Sequence, residues 1–121
     1  MKLSLEVRNR GDVVIVHCEG RIVYREEAVS LSHLVGEMLD QGEKVVLDLS
    51  GVSAIDSAGI GELVSLHTRA QSRNVDLKFA APSRRVRQLL DLTNLYSVIE
   101  VHPNLGEALS AFSRQEVCAP C

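Results

Sequence analysis

The sequence holds 121 residues, 45% of them apolar and 24% charged, which is the length and balance of one soluble globular domain with its own core. Net charge is −3 and the aromatics are only Tyr24, Tyr96, Phe79 and Phe112, so neither a basic footprint for nucleic acid or anionic lipid nor stacking platforms for single-stranded bases are present. Charges interrupt the N-terminus from Lys2 onward, and no apolar run nears the ~20 residues of a membrane span; the expected compartment is the cytoplasm, with no membrane or direct nucleic-acid partner.

Leu3, Leu5 and Val7 alternate with Ser4, Glu6 and Arg8, the pattern of a half-buried strand. Asn9-Arg10-Gly11-Asp12 is a turn cluster. Val13 to Cys18 is a second strand, which predicts a hairpin. Residues 20–24 read as a connection. Leu31, Leu34, Val35, Met38 and Leu39 then repeat at helical spacing, and Gly42 suits the left-handed position after that helix.

Lys44 to Leu49 is nearly continuous apolar, as in a central strand covered on both faces. Ser50 to Ile55 reads as a loop leading to Asp56-Ser57. A second helix follows, with Ile60, Leu63, Val64 and His67 on one stripe, ending near Arg73. Val75 to Ala80 is the next strand. Pro82 and Ser83 open a third helix with Val86, Leu89 and Leu90 inward. Ser97 to Val101 is a short strand stopped by Pro103. Asn104 caps a last helix with Glu107 at capping-box spacing and a stripe of Leu105, Ala108, Leu109 and Phe112.

The order β-β-α-β-α-β-α-β-α predicts an α/β fold. It has a mostly parallel central sheet, an N-terminal antiparallel hairpin and about four helices. The domain is expected over residues 1–113, with a flexible tail over 114–121. Cys18 reads as a small core residue. Cys118 and Cys121 have metal or redox spacing, but no further ligands are visible in sequence, so no metal and no cofactor are expected.

Asp56-Ser57-Ala58-Gly59-Ile60-Gly61 carries the most information. Asp56 or Ser57 is the natural N-cap of the second helix. Gly59 and Gly61 each cost about 1 kcal/mol relative to Ala inside a helix, and small residues there leave room for another protein to approach. A helix N-terminus also accommodates an added phosphate. Asp48 ends a core strand and is expected to bond the loop that follows it. Arg84, Arg85 and Arg87, with Arg69 and Arg73, read as solvated helix faces or as a docking surface for an acidic partner. No Gly-x-Ser-x-Gly elbow surrounds Ser57, so hydrolysis is not expected.

The stretch Val45-Val46-Leu47-Asp48-Leu49-Ser50-Gly51-Val52-Ser53-Ala54-Ile55-Asp56-Ser57-Ala58-Gly59 closely resembles the signature of the STAS domain, as in bacterial anti-sigma-factor antagonists. The likeness extends through Gly20-Arg21-Ile22, Phe79-Ala80-Ala81-Pro82 and Leu95-Tyr96, from about Leu3 to Phe112. The resemblance implies a protein that is not an enzyme but the substrate of one. Ser57 would be phosphorylated by an anti-sigma factor that is itself a serine kinase, and a phosphatase would reset it. The unphosphorylated chain would bind that kinase and release a sigma factor. The implied contact segments are Arg21-Ile22-Val23-Tyr24 and Asp56-Ser57-Ala58-Gly59-Ile60-Gly61. Many relatives carry an acidic residue where Val23 stands. A second reading keeps the fold without the switch, as a constitutive STAS accessory subunit of a transporter or signalling scaffold.

Overall fold

A computed structural model describes residues 3–118, with side chains for 3–23 and 26–112. Strands β1 (Ser4–Arg10) and β2 (Val13–Ile22) form the expected hairpin. Gly11 at φ +62° makes its two-residue turn, a glycine-first turn whose twist matches that of paired strands. Helix α1 (Tyr24–Asp40), β3 (Lys44–Ile55), α2 (Ser57–Arg73), β4 (Leu77–Ala80), α3 (Arg84–Leu92), β5 (Val101–His102) and α4 (Leu105–Cys118) follow. The sheet order is β1-β2-β3-β4-β5, antiparallel only between β1 and β2.

Sequential parallel strands joined by crossovers of one hand put every crossover helix on the same face. Accordingly α1, α2 and α3 share one large core with Val14, Val16, Val45, Leu47, Leu49 and Phe79. Helix α4 is no crossover between strands of the described sheet, and it packs on the other face. There Ala108 and Phe112 pack on Val13, Val46 and Ala80. Period-2 alternation along β3 sends Val45, Leu47 and Leu49 to the first core and Val46 to the second.

Besides shifts of two residues at the end of β1 and the start of β4, four boundaries differ from the sequence reading. The expected loop 50–55 is strand, the second half of β3. The expected connection 20–24 is the end of β2 and the start of α1. These two segments pair with each other, Gly20 with Val52 and Ile22 with Ile55, across register shifts near Glu19 and Arg21. Neither reads as strand alone, because each is extended only by the other's hydrogen bonds. Gly51 permits one shift: a Cβ there would lie 2.8 Å from the Cys18 carbonyl oxygen. The expected strand 97–101 shrinks to Val101–His102 behind a 3-10 turn at Leu95–Ser97. Finally, α4 continues through Cys118, so residues 114–118 of the expected tail are helical backbone. Cys121 lies outside the described residues, as does the side chain of Cys118.

A buried lysine has no local sequence signal. Lys78 is 2% exposed on β4. Its Nζ lies 2.7 Å from Glu100 Oε2 and 4.7 Å from the centre of the Phe112 ring. Burial pushes the Glu100 carboxyl up, but hydrogen bonds from Lys78 and His102 outweigh it and hold the group below its ordinary range.

Candidate functional site

The site lies where β3 runs out and α2 begins. The paired ends of β2 and β3 project past the central sheet. The Ser53 hydroxyl donates to the Gly20 carbonyl at 3.2 Å and the Ser83 hydroxyl to the Val52 carbonyl at 2.8 Å. These two bonds tie β3 to β2 on one side and to the start of α3 on the other. The Asp56 N–H closes the ladder on the Ile22 carbonyl at 3.3 Å. Neither long-range bond has a local sequence signal: Ser83 reads only as the opening of the third helix, and a hydroxyl's acceptor about thirty residues away is set by the fold.

Asp56 is the N-cap of α2, extended at φ −113°, and its Oδ1 accepts from the Gly59 N–H at 3.0 Å. The sequence left Asp56 and Ser57 as alternatives for this position; the structure assigns it to Asp56. Ser57 is therefore the first helical residue. It is exposed, and its hydroxyl makes no hydrogen bond to any described residue. Cap and hydroxyl are thus separate groups, and changing one leaves the other in place.

The two glycines behave differently. Gly59 is buried, and a Cβ there would lie 2.4 Å from the Ile22 carbonyl oxygen and 2.5 Å from Ile55 Cγ1. It lets α2 seat against the strand ends and does not bare the surface. Gly61 is exposed with nothing within 4 Å of a Cβ, so the open approach beside Ser57 comes from Gly61.

The fold brings the two expected contact segments together through the Ile22–Ile55 pairing. Of these residues, Arg21, Ser57 and Gly61 are exposed, and Asp56, Ala58 and Ile60 are partly so. Ile22 and Val23 are buried at 0% and 8% exposure, so they support the site from beneath. The Tyr24 side chain lies outside the described residues. Val23 occupies the N-cap of α1, with no side-chain cap bond; an acidic residue there would accept a first-turn N–H, which Val cannot.

Arg84, Arg85 and Arg87 are exposed on α3, whereas Arg69, Arg73, Asp48 and Cys18 have structural roles. Arg69 and Arg73 are not free for docking: both bind Asp40 and so join α2 to α1. Asp48 does bond the segment after it, accepting from the Ser50 N–H at 3.0 Å, and its other oxygen pairs with His17 Nδ1 at 3.0 Å. Burial raises its carboxyl, and these hydrogen bonds overcome that and hold it below its ordinary range. The buried Cys18 thiol is pushed up to about 12, by burial first and the Asp48 charge second, which makes it a poor nucleophile. Among the described residues no group of three or more His, Cys, Asp or Glu could hold a metal ion, and no helix is long and apolar enough to cross a membrane.

Comparison with known proteins follows the same outline. The profile of the STAS domain matches residues 4–108. The anti-sigma-B factor antagonist of Bacillus subtilis is 27% identical over 101 residues, 84% of this chain and 92% of the relative. A crystal structure of a Thermotoga maritima protein, 28% identical, matches with a TM-score of 0.77 over 88% of this chain and 92% of that one. The anti-sigma factor antagonist SpoIIAA matches in its unphosphorylated form with a TM-score of 0.72 at 17% identity, over 92% of this chain and 96% of that one. The phosphorylated form of SpoIIAA, from Bacillus, matches at 0.66 and 16%, over 91% and 98%. At such identities the SpoIIAA likeness concerns the fold.

Proposed function

The chain belongs to the STAS domain family, and on that premise we propose that it is an anti-sigma-factor antagonist switched off by phosphorylation of Ser57. It acts as a binding module, with no catalytic group of its own. Its partner is an anti-sigma factor with serine-kinase activity, and a phosphatase restores the bound state. The observation that carries this reading is the division of labour at the start of α2: Asp56 caps the helix, so the exposed Ser57 hydroxyl is available for modification.

Phosphate at Ser57 would add about −1.5 to −2 charges. The helix N-terminus stabilises that charge locally, so the fold need not change. A partner packed over Ser57, Gly61 and Arg21 would instead have to bury it, at a cost of several kcal/mol when unpaired. Since about 1.4 kcal/mol is tenfold in affinity, a hundredfold loss of binding follows without refolding.

The test is incubation with a kinase-type anti-sigma factor from the same genome and ATP, with the phosphate mapped by mass spectrometry. Modification is expected at Ser57. Ser57→Ala should retain binding, while Ser57→Asp should weaken it about tenfold or more. Binding without modification at Ser57 would replace the switch with the accessory-subunit reading. Equal affinity of the Ala and Asp variants would remove Ser57 from the interface.

A further inference from the structure

The two edges of the sheet are treated differently. β5 is only Val101–His102 and is followed by Pro103, and a short edge beside proline offers little to pair with. β1 is seven residues long and has no proline. It pairs with β2 in unbroken register, so no bulge twists it away. Its residues from Glu6 to Arg10 are exposed, and Val7 is 45% exposed.

The turn geometry determines which backbone groups of β1 point outward. A two-residue turn makes its flanking residues, Arg10 and Val13, a hydrogen-bonded pair. Strict alternation then turns the N–H and C=O groups of Arg8, Glu6 and Ser4 toward β2, and those of Asn9, Val7 and Leu5 to the open edge.

We propose that β1 pairs antiparallel with β1 of a second copy of this chain, with Val7 on the two-fold axis, so that the sheet continues through the dimer. In this register Val7 faces its own counterpart and Leu5 faces Asn9. These are the residues whose backbone groups point outward, so both pairs exchange ladder hydrogen bonds. Glu6 then lies opposite the second copy's Arg8, and Arg8 opposite its Glu6, in the non-hydrogen-bonded positions where facing side chains come closest. Within one chain Glu6 and Arg8 already form an ion pair on the same face, and the dimer extends that pair into an alternating quartet. Charge on an edge strand ordinarily blocks self-pairing; here the order of charges is self-complementary, as an isologous interface requires. Val7, on the opposite face, would lose its solvent exposure against its counterpart. None of the residues assigned around Ser57 lies on β1, so each copy would keep its own site.

Sedimentation across a concentration series tests this with the full chain. Wild type should be a monomer–dimer equilibrium, with the amides of Leu5, Val7 and Asn9 exchanging more slowly as concentration rises. Val7→Pro removes an outward N–H and spares the β1–β2 ladder; it should be monomeric with an unchanged circular dichroism spectrum. Arg8→Glu and Glu6→Arg each put like charges opposite one another and should raise the dissociation constant about tenfold or more. An equimolar mixture of those two variants should associate again, because all-acidic then faces all-basic. Two results would overturn the proposal: wild type that stays monomeric up to roughly millimolar concentration, or a dimer that Val7→Pro and Arg8→Glu leave intact.

Discussion

From Lys44 to Leu49 β3 is buried along nearly its whole length, whereas from Ser50 to Ile55 the same strand is half open to solvent. The first half pairs with β2 and β4 and packs in both cores. The second half pairs only with the end of β2, through shifted register, and is tied sideways by Ser53 and Ser83. One half supplies stability and the other carries Asp56 and Ser57 out to the solvent-exposed end of the strand, where the proposed partner would meet them. The two are one continuous strand, so the position of the site is inherited from the core without being buried in it.

Substitutions along this line should separate the two roles. Leu47→Ala, in the fully buried half, should cost about 2–5 kcal/mol in denaturant unfolding through the lost contacts and residual cavity. Gly59→Ala should cost about 1–3 kcal/mol, since its Cβ meets backbone and the strand ends must move apart. It should also shift the amide signals of Ile22 and Ile55 across the contact, which a Gly→Ala change on an open helix face would not do. Loss of the cap in Asp56→Ala should cost about 1 kcal/mol, with the β2–β3 ladder intact by hydrogen exchange. The smallest effect has the opposite sign. Gly61→Ala meets nothing within 4 Å and should stabilise the chain by up to about 1 kcal/mol through helix propensity alone. If Gly59→Ala and Gly61→Ala had equal effects on stability, the distinction between a packed and an open glycine at this helix start would fail.

Legibility in the sequence follows the range of the forces involved. The hairpin, the central strand and the four helices were readable because alternation, continuous apolar runs and 3.6-residue stripes are local records of burial. The Asn104 cap and the opening of α3 at Pro82-Ser83 were readable because a capping side chain bonds a backbone group three residues away. The pairing of 19–22 with 51–55 was not readable, since it depends on hydrogen bonds between segments about thirty residues apart. Buried Lys78 was likewise hidden: its partners Glu100 and Phe112 reach it only once β4, β5 and α4 have assembled.

By itself the sequence determined the α/β order, the core stripes of α1, α3 and α4 and the presence of a helix start at Asp56-Ser57, because these rest on spacings of a few residues; the buried face of α2 is instead Leu63, Leu66 and Ala70, turned from the expected Ile60, Val64 and His67. Tertiary structure alone decided that Asp56 is the cap and that the Ser57 hydroxyl bonds no described residue. It also decided that Gly59 is packed against Ile22 while Gly61 is open. Two adjacent polar residues or two nearby glycines are alike in composition; they differ only in what the folded chain places against them.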